Sequence, residues 1–210
     1  MMDEVVGHMT EKVVIPPAAD IDIFPRRRTS KPRAEFKLFE PGPDGIPEMA
    51  HAGDGYKFHV TGLTHDERGY PSMTVATQDR LVRRLATKMQ PLASEGAIFE
   101  AEHLEDAEVV VVSYGITSRV AQRALQLARD AGIRAGKFRL ITAWPFPEPH
   151  IEELASRVRA FVVPELNLGQ MVREVERSVR GRAKVVPVSH AGGGVHRPEE
   201  IFKAIEEAVR

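Results

Sequence analysis

Residues 108–147 read EVVVVSYGITSRVAQRALQLARDAGIRAGKFRLITAWPFP, and this stretch decides the fold. Val109 to Val112 form an apolar run closed by Ser113-Tyr114-Gly115. Val120, Ala124, Leu127, Ala128 and Ala131 then recur at helical spacing, and Gly132 stops the segment. A second apolar stretch, Phe138 to Thr142, ends at Trp144-Pro145. Strand, helix and strand of this kind make a βαβ unit, whose crossover places the two strands parallel. Four consecutive valines lack the alternation of a half-exposed strand. They suit a strand covered on both faces, as parallel sheets require.

The pattern continues downstream. Pro147 and Pro149 open a short helix, His150 to Arg157. Arg159 to Val163 reads as a strand, Leu168 to Val179 as a helix, and Lys184 to Val188 as a further strand. Pro198 begins the last helix, Glu199 to Val209, where its missing N–H costs nothing and two glutamates meet the positive helix end. Repeated βα units predict a three-layer α/β domain over 107–210.

Upstream the chain is less regular. Gln78 to Met89 reads as a helix with Leu81, Leu85 and Met89 on one face, ended by Pro91; residues 92 to 106 read as a connector. Tyr56 to Gly62 alternates like a strand, and 65–69 makes a polar turn. Residues 56–106 therefore form a strand–helix linker region. Residues 1–55 read as an extended connector or strap without a core of its own. Asp3 to Val13 suggests a short helix broken by Pro16-Pro17, followed by charged, proline-rich chain with the triplet Arg26-Arg27-Arg28. So long a segment without elements is unusual inside a compact domain and suggests a strap lying over something else.

Composition removes several classes of function. The chain has 210 residues, 29 Lys+Arg against 30 Asp+Glu, and no cysteine. This near-balance gives no global attraction to nucleic acid or to an anionic membrane. The lack of cysteine excludes disulfides, thiolate-held clusters and thiol nucleophiles within these residues. No apolar run approaches the roughly 20 residues of a membrane span, and no signal peptide is evident; a cytoplasmic protein is the expectation.

The candidate sites lie in loops. Gly115, Thr117 and Ser118 stand where a strand gives way to a helix, a place where backbone N–H groups can hold an anion or a cofactor. The segment is no GxGxxG fingerprint, and Thr117 or Ser118 as a plain helix N-cap is the competing reading. Glu165, Asn167 and Gln170 stand at a second such turn and read as caps, interface residues or ligand contacts. Gly192 to Gly194 offers a third loop. Trp144-Pro145-Phe146-Pro147 is rigid and apolar and reads as an interface or core edge. Gly53-Asp54-Gly55 is similar to the start of a magnesium–diphosphate motif, but its downstream Asn is lacking: the only Asn is Asn167. It reads as a turn. His51, His59 and His65 match no helical metal-pair spacing. The sequence nominates no catalytic residue and no metal ligand.

DEVVGHM at 3–9, GDGYKFHVTGLTHDERGYP at 53–71, VVSYGITSR at 111–119, RLITAWPFP at 139–147 and VPELNLGQMVREV at 163–175 together resemble the α subunit of 2-oxoacid:ferredoxin oxidoreductases, nearest to the 2-oxoglutarate type. The likeness runs in order along nearly the whole chain. It implies a transketolase C-terminal-like domain and the carboxyl-terminal region of such a subunit, whose amino-terminal pyrimidine-binding domain would precede this chain. It also implies oxidative decarboxylation of a 2-oxoacid with coenzyme A, giving acyl-CoA, carbon dioxide and reduced ferredoxin. Thiamine diphosphate, Mg2+ and an iron–sulfur cluster would belong to the assembled enzyme with its β subunit, none being held by this chain alone. The expectation is a structural, assembling piece inactive by itself, with interface residues Trp144, Glu165, Asn167 and Gln170. A stand-alone nucleotide- or coenzyme A-binding module is the alternative.

Overall fold

The computed structural model describes residues 7–95 and 97–210. Its sheet has five strands: β1 (Phe99–Glu102), β2 (Val109–Tyr114), β3 (Ala135–Leu140), β4 (Ala160–Glu165) and β5 (Lys184–Ser189), in the order β1-β3-β2-β4-β5. The helices are α1 (Val75–Glu95), α2 (Gly115–Asp130), α3 (Glu148–Ala155), α4 (Met171–Val179) and α5 (Pro198–Val209). β2, β3, β4 and β5 pair in parallel, and β1 runs antiparallel on the edge against β3. The expected α/β class with a mainly parallel sheet is what the chain forms.

The run of valines divides between two cores. Val110 and Val112 pack with Phe138, Phe161 and Val163 under α3 and α4, against Ile151, Leu154, Val172 and Val175. Val109 and Val111 pack on the other face with Ala160 and Val162 under α2 and α5, against Ala121, Ala124, Leu125, Ile201 and Ile205. All four valines are fully buried. Each such side chain contributes about 1.5–3 kcal/mol relative to exposure, which is why the strand can forgo alternation.

Several boundaries differ from the sequence expectation. α2 starts at Gly115, three residues before Ser118, and its buried stripe is Ala121, Ala124, Leu125 and Ala128. Val120 and Leu127 flank that stripe half-buried. α1 runs from Val75 through Pro91 to Glu95, where an end at Pro91 was expected. Thr74 caps it, its hydroxyl accepting the Thr77 N–H at 3.2 Å. The supposed connector 92–106 contains the end of α1 and the whole of β1.

Packing groups Lys12–Pro91 into one compact unit, and residues 7–11 with Leu92–Arg210 into another. In the first unit Tyr56 to Gly62 is not a strand. Among the described residues only isolated bridges occur there, such as His65 with Pro71, so no neighbouring strand satisfies its backbone. Side chains order it instead: Phe36 packs edge-on against Tyr56 and Phe58. Phe36 and Leu38 are buried, so the strap has a small core after all. Gly7 and His8 are helical and the chain is irregular from Met9 on; the rest of the expected first helix, residues 3–6, lies outside the described residues.

Candidate functional site at the carboxyl ends of the strands

The parallel strands leave β2 in opposite directions: β3 lies on one side of it and β4 on the other. The crevice between the carboxyl ends of β2 and β4 is therefore the topological switch point, where open α/β sheets bind ligands. Two segments singled out in the sequence meet there, Tyr114–Ser118 after β2 and Glu165–Gln170 after β4.

The crevice is filled by the chain's own groups. Glu165 is almost wholly buried. Its carboxylate accepts the N–H groups of Met171 and Val172, each at 2.8 Å, and of Gln170 at 3.3 Å. These N–H groups open α4, so the carboxylate meets the positive helix end. Asn167 donates to Glu165 at 3.1 Å and to the Tyr114 hydroxyl at 3.2 Å, and its own carbonyl accepts the Gly169 N–H at 2.8 Å. The Tyr114 hydroxyl donates to Glu165 at 3.4 Å and ties β2 to β4. Of the three readings, helix capping is realised within this chain by Glu165, and Asn167 braces its carboxylate. Gln170 takes part through its backbone N–H.

The loop after β2 does not cap α2 by side chain. The N-cap is Tyr114, with no side-chain bond, so the N-cap reading of Thr117 and Ser118 is corrected. Gly115 takes φ 56°, the left-handed turn that lets the strand enter the helix at once. Thr117 and Ser118 consequently lie inside the first turn, buried. The Thr117 hydroxyl donates to the Tyr114 carbonyl at 2.6 Å, and the Ser118 and Ser113 hydroxyls pair at 2.9 Å.

Apolar side chains are exposed in the loops at these strand ends. Trp144, after β3, stands 64% exposed, while Phe146 beside it is buried in the core. Leu168, between β4 and α4, and Ile141 are exposed as well. Beyond β5 lie His190 and the Gly192–Gly194 loop, joined to the site by the His190 N–H donated to the Glu165 carbonyl at 3.0 Å. The role of the Tyr114 hydroxyl and the two histidines His190 and His196 are not part of the sequence reading. Tyr114 closes the strand in the segment quoted first, and its position there was the available signal.

Far from the crevice, Lys137 on β3 is buried and pairs with Glu102 of β1 at 2.5 Å and with Gln122 of α2. Burial opposes the charge on Glu102, but the bonds from Lys137 and Gln122 together outweigh it and hold its carboxyl below the usual range. Near the start of the chain Asp54 turns a carboxylate oxygen to the His51 N–H, the turn expected of Gly53-Asp54-Gly55. Among the described residues no three potential donors converge on a metal-sized point.

Fold and site define an α/β domain whose switch point is closed by its own capping carboxylate and rimmed by apolar side chains. Residues 107–201 match pyruvate:ferredoxin oxidoreductase core domain II. The chain is 45% identical over 206 residues to 2-oxoglutarate synthase subunit KorA of Methanothermobacter thermautotrophicus, across 98% of this chain and 54% of that one. It is 43% identical over 210 residues to the subunit of the same name from Methanocaldococcus jannaschii, again across 98% of this chain and 54% of that one. Among solved structures it is similar to 2-oxoglutarate:ferredoxin oxidoreductase from Magnetococcus marinus, with TM-score 0.70 and 24% identity over 93% of this chain and 34% of that chain. That likeness is one of fold. The chain belongs to the 2-oxoacid:ferredoxin oxidoreductase family. It spans about half the length of the curated relatives it matches.

Proposed function

We propose that this chain is the assembly-bearing part of the α subunit of a 2-oxoglutarate:ferredoxin oxidoreductase. The whole enzyme would convert a 2-oxoacid and coenzyme A to acyl-CoA and carbon dioxide, passing electrons to ferredoxin. Thiamine diphosphate supplies the carbanion chemistry of such a reaction when bound. Asp54 is committed to a turn, and among the described residues no converging donor set accompanies it, so the residues described do not fit that group or its metal. The role of these residues is therefore to fold, pack and present a face.

The observation that carries this reading is the use made of Glu165. The one buried carboxylate at the switch point spends both oxygens on α4 and Asn167. It is not poised as an acid or base. What the strand ends present outward is Trp144, Ile141 and Leu168, an apolar rim suited to a partner subunit.

The test is co-purification with a β subunit of this family, followed by mass determination of the complex. A stable complex, weakened at least tenfold in Kd by Trp144→Ala, is expected. No complex, or one indifferent to Trp144→Ala, removes this face from the assembly. Thiamine-dependent 2-oxoglutarate oxidation by the isolated chain would overturn the non-catalytic role.

A further inference from the structure

His190 and His196 flank the loop HAGGGVH at the carboxyl end of β5, and each has an Nδ1 that is shielded from solvent and bonded to nothing. His196 is 4% exposed. Its Nε2 lies 2.8 Å from the Val188 carbonyl. A carbonyl only accepts, so Nε2 carries a proton, and in the neutral ring Nδ1 is then the nitrogen with the lone pair. This backbone contact is the one that fixes the tautomer of metal-binding imidazoles. The His190 ring lies close to Gly194, which leaves no room for a side chain there. A methyl group there would lie 2.8 Å from its Cε1. Gly192 and Gly193 take φ 87° and 77°, the conformations that let the loop fold the two rings together.

The ring centroids are 5.4 Å apart with planes at 68°. An imidazole nitrogen binds zinc at about 2.0–2.1 Å, which puts each ring centroid about 3.2 Å from the ion. Two such rings at a tetrahedral angle stand about 5 Å apart, so the observed spacing is close to that of a shared ion.

We propose that His190 and His196 form a two-histidine site for a divalent transition-metal ion of the zinc type, bound through the Nδ1 atoms. No third protein donor joins them among the described residues, so water completes the coordination. Imidazole ligands select such ions over magnesium or calcium. The two rings lie beyond β5, linked to the end of β4 only through the His190 backbone N–H, and the proposal does not depend on the assembly role proposed above.

Cobalt(II) is the probe. The purified full chain is titrated with it and followed by visible absorption and calorimetry, and zinc is then added to displace it. One ion per chain is expected, with tetrahedral-type absorption bands lost on zinc addition. His190→Ala and His196→Gln should each weaken binding at least tenfold. His150→Gln should leave it unchanged, although His150 also has an unbonded buried Nδ1. Circular dichroism confirms that each variant is folded. The His190 variant guards against a folding failure at the buried His196. Absence of binding, or binding untouched by His190→Ala, overturns the proposal.

Discussion

Glu165 at the end of β4 and Glu102 on the edge strand β1 both have their charge satisfied, but different forces hold them. Glu165 is satisfied by backbone N–H groups at a helix end, and its neighbours Asn167 and Tyr114 complete the shell. Glu102 is held by a cation, the buried Lys137. Its depressed pKa carries a sign. A carboxyl that titrates lower when folded than when unfolded stabilises above the unfolded value, near 4.3, and that gain is lost as pH falls through the lower folded value. Glu102→Gln should therefore be less stable than the parent in urea unfolding at pH 7. The two should converge only as pH falls through the lowered folded value, where the parent carboxyl itself takes up a proton. A gap independent of pH across the acid range would show that Glu102 acts by packing alone. At this scale the sequence was legible where chemistry is local. Glu165, Asn167 and Gln170 read as caps, interface residues or ligand contacts, and the Glu165 carboxylate caps α4. Thr117 and Ser118 read as caps and are not, because Gly115 turns the chain into the helix before either is reached.

Among the elements, those with long-range partners dictated by composition were the readable ones. A run of valines has no other stable place than a doubly covered strand, so β2 was plain. β1 was missed because FEAE is short and half polar, and its pairing with β3 comes from a partner some forty residues away. α1 was cut short because a proline inside a helix removes one bond and crowds the preceding turn, yet here the helix continues past it. β5 shows the opposite use of proline. Its Lys184 and His190 N–H groups point to β4, so the odd-numbered Pro187 puts its missing donor on the open edge. β3 has its own constraint at Gly136. A Cβ there would sit 2.8 Å from the His103 carbonyl, 2.9 Å from Leu104 and 3.1 Å from Ala107. Gly136→Ala should destabilise by about 1–3 kcal/mol by overpacking, read as a lower urea midpoint with an unchanged slope. An unchanged midpoint would mean that the 103–107 turn yields freely.

For the molecule as a whole, the two compact units have unequal means of standing alone. Every member of the two large cores falls between Ala107 and Ala208. The unit from Lys12 to Pro91 buries only Phe36 and Leu38 among its apolar side chains, while Val13, Val14, Ile15, Ile23 and Phe24 are exposed. That contrast explains what could be read beforehand. Periodicity reports on burial against regular elements, and the first unit has almost none; its order rests on aromatic contacts and turns that leave no period in the sequence. It also predicts an asymmetric dissection. Residues 97–210 retain all five strands and both cores, and a domain of this length buries enough surface to be stable. Made alone, they should give mixed α/β circular dichroism and one cooperative thermal transition. Residues 12–91 made alone should show no cooperative transition, since two buried side chains supply only about 3–6 kcal/mol against the entropy of ordering the chain. A cooperative melt from the smaller piece, or none from the larger, would mean that stability is shared across the division at Pro91 and Leu92 and that neither unit is a folding unit by itself.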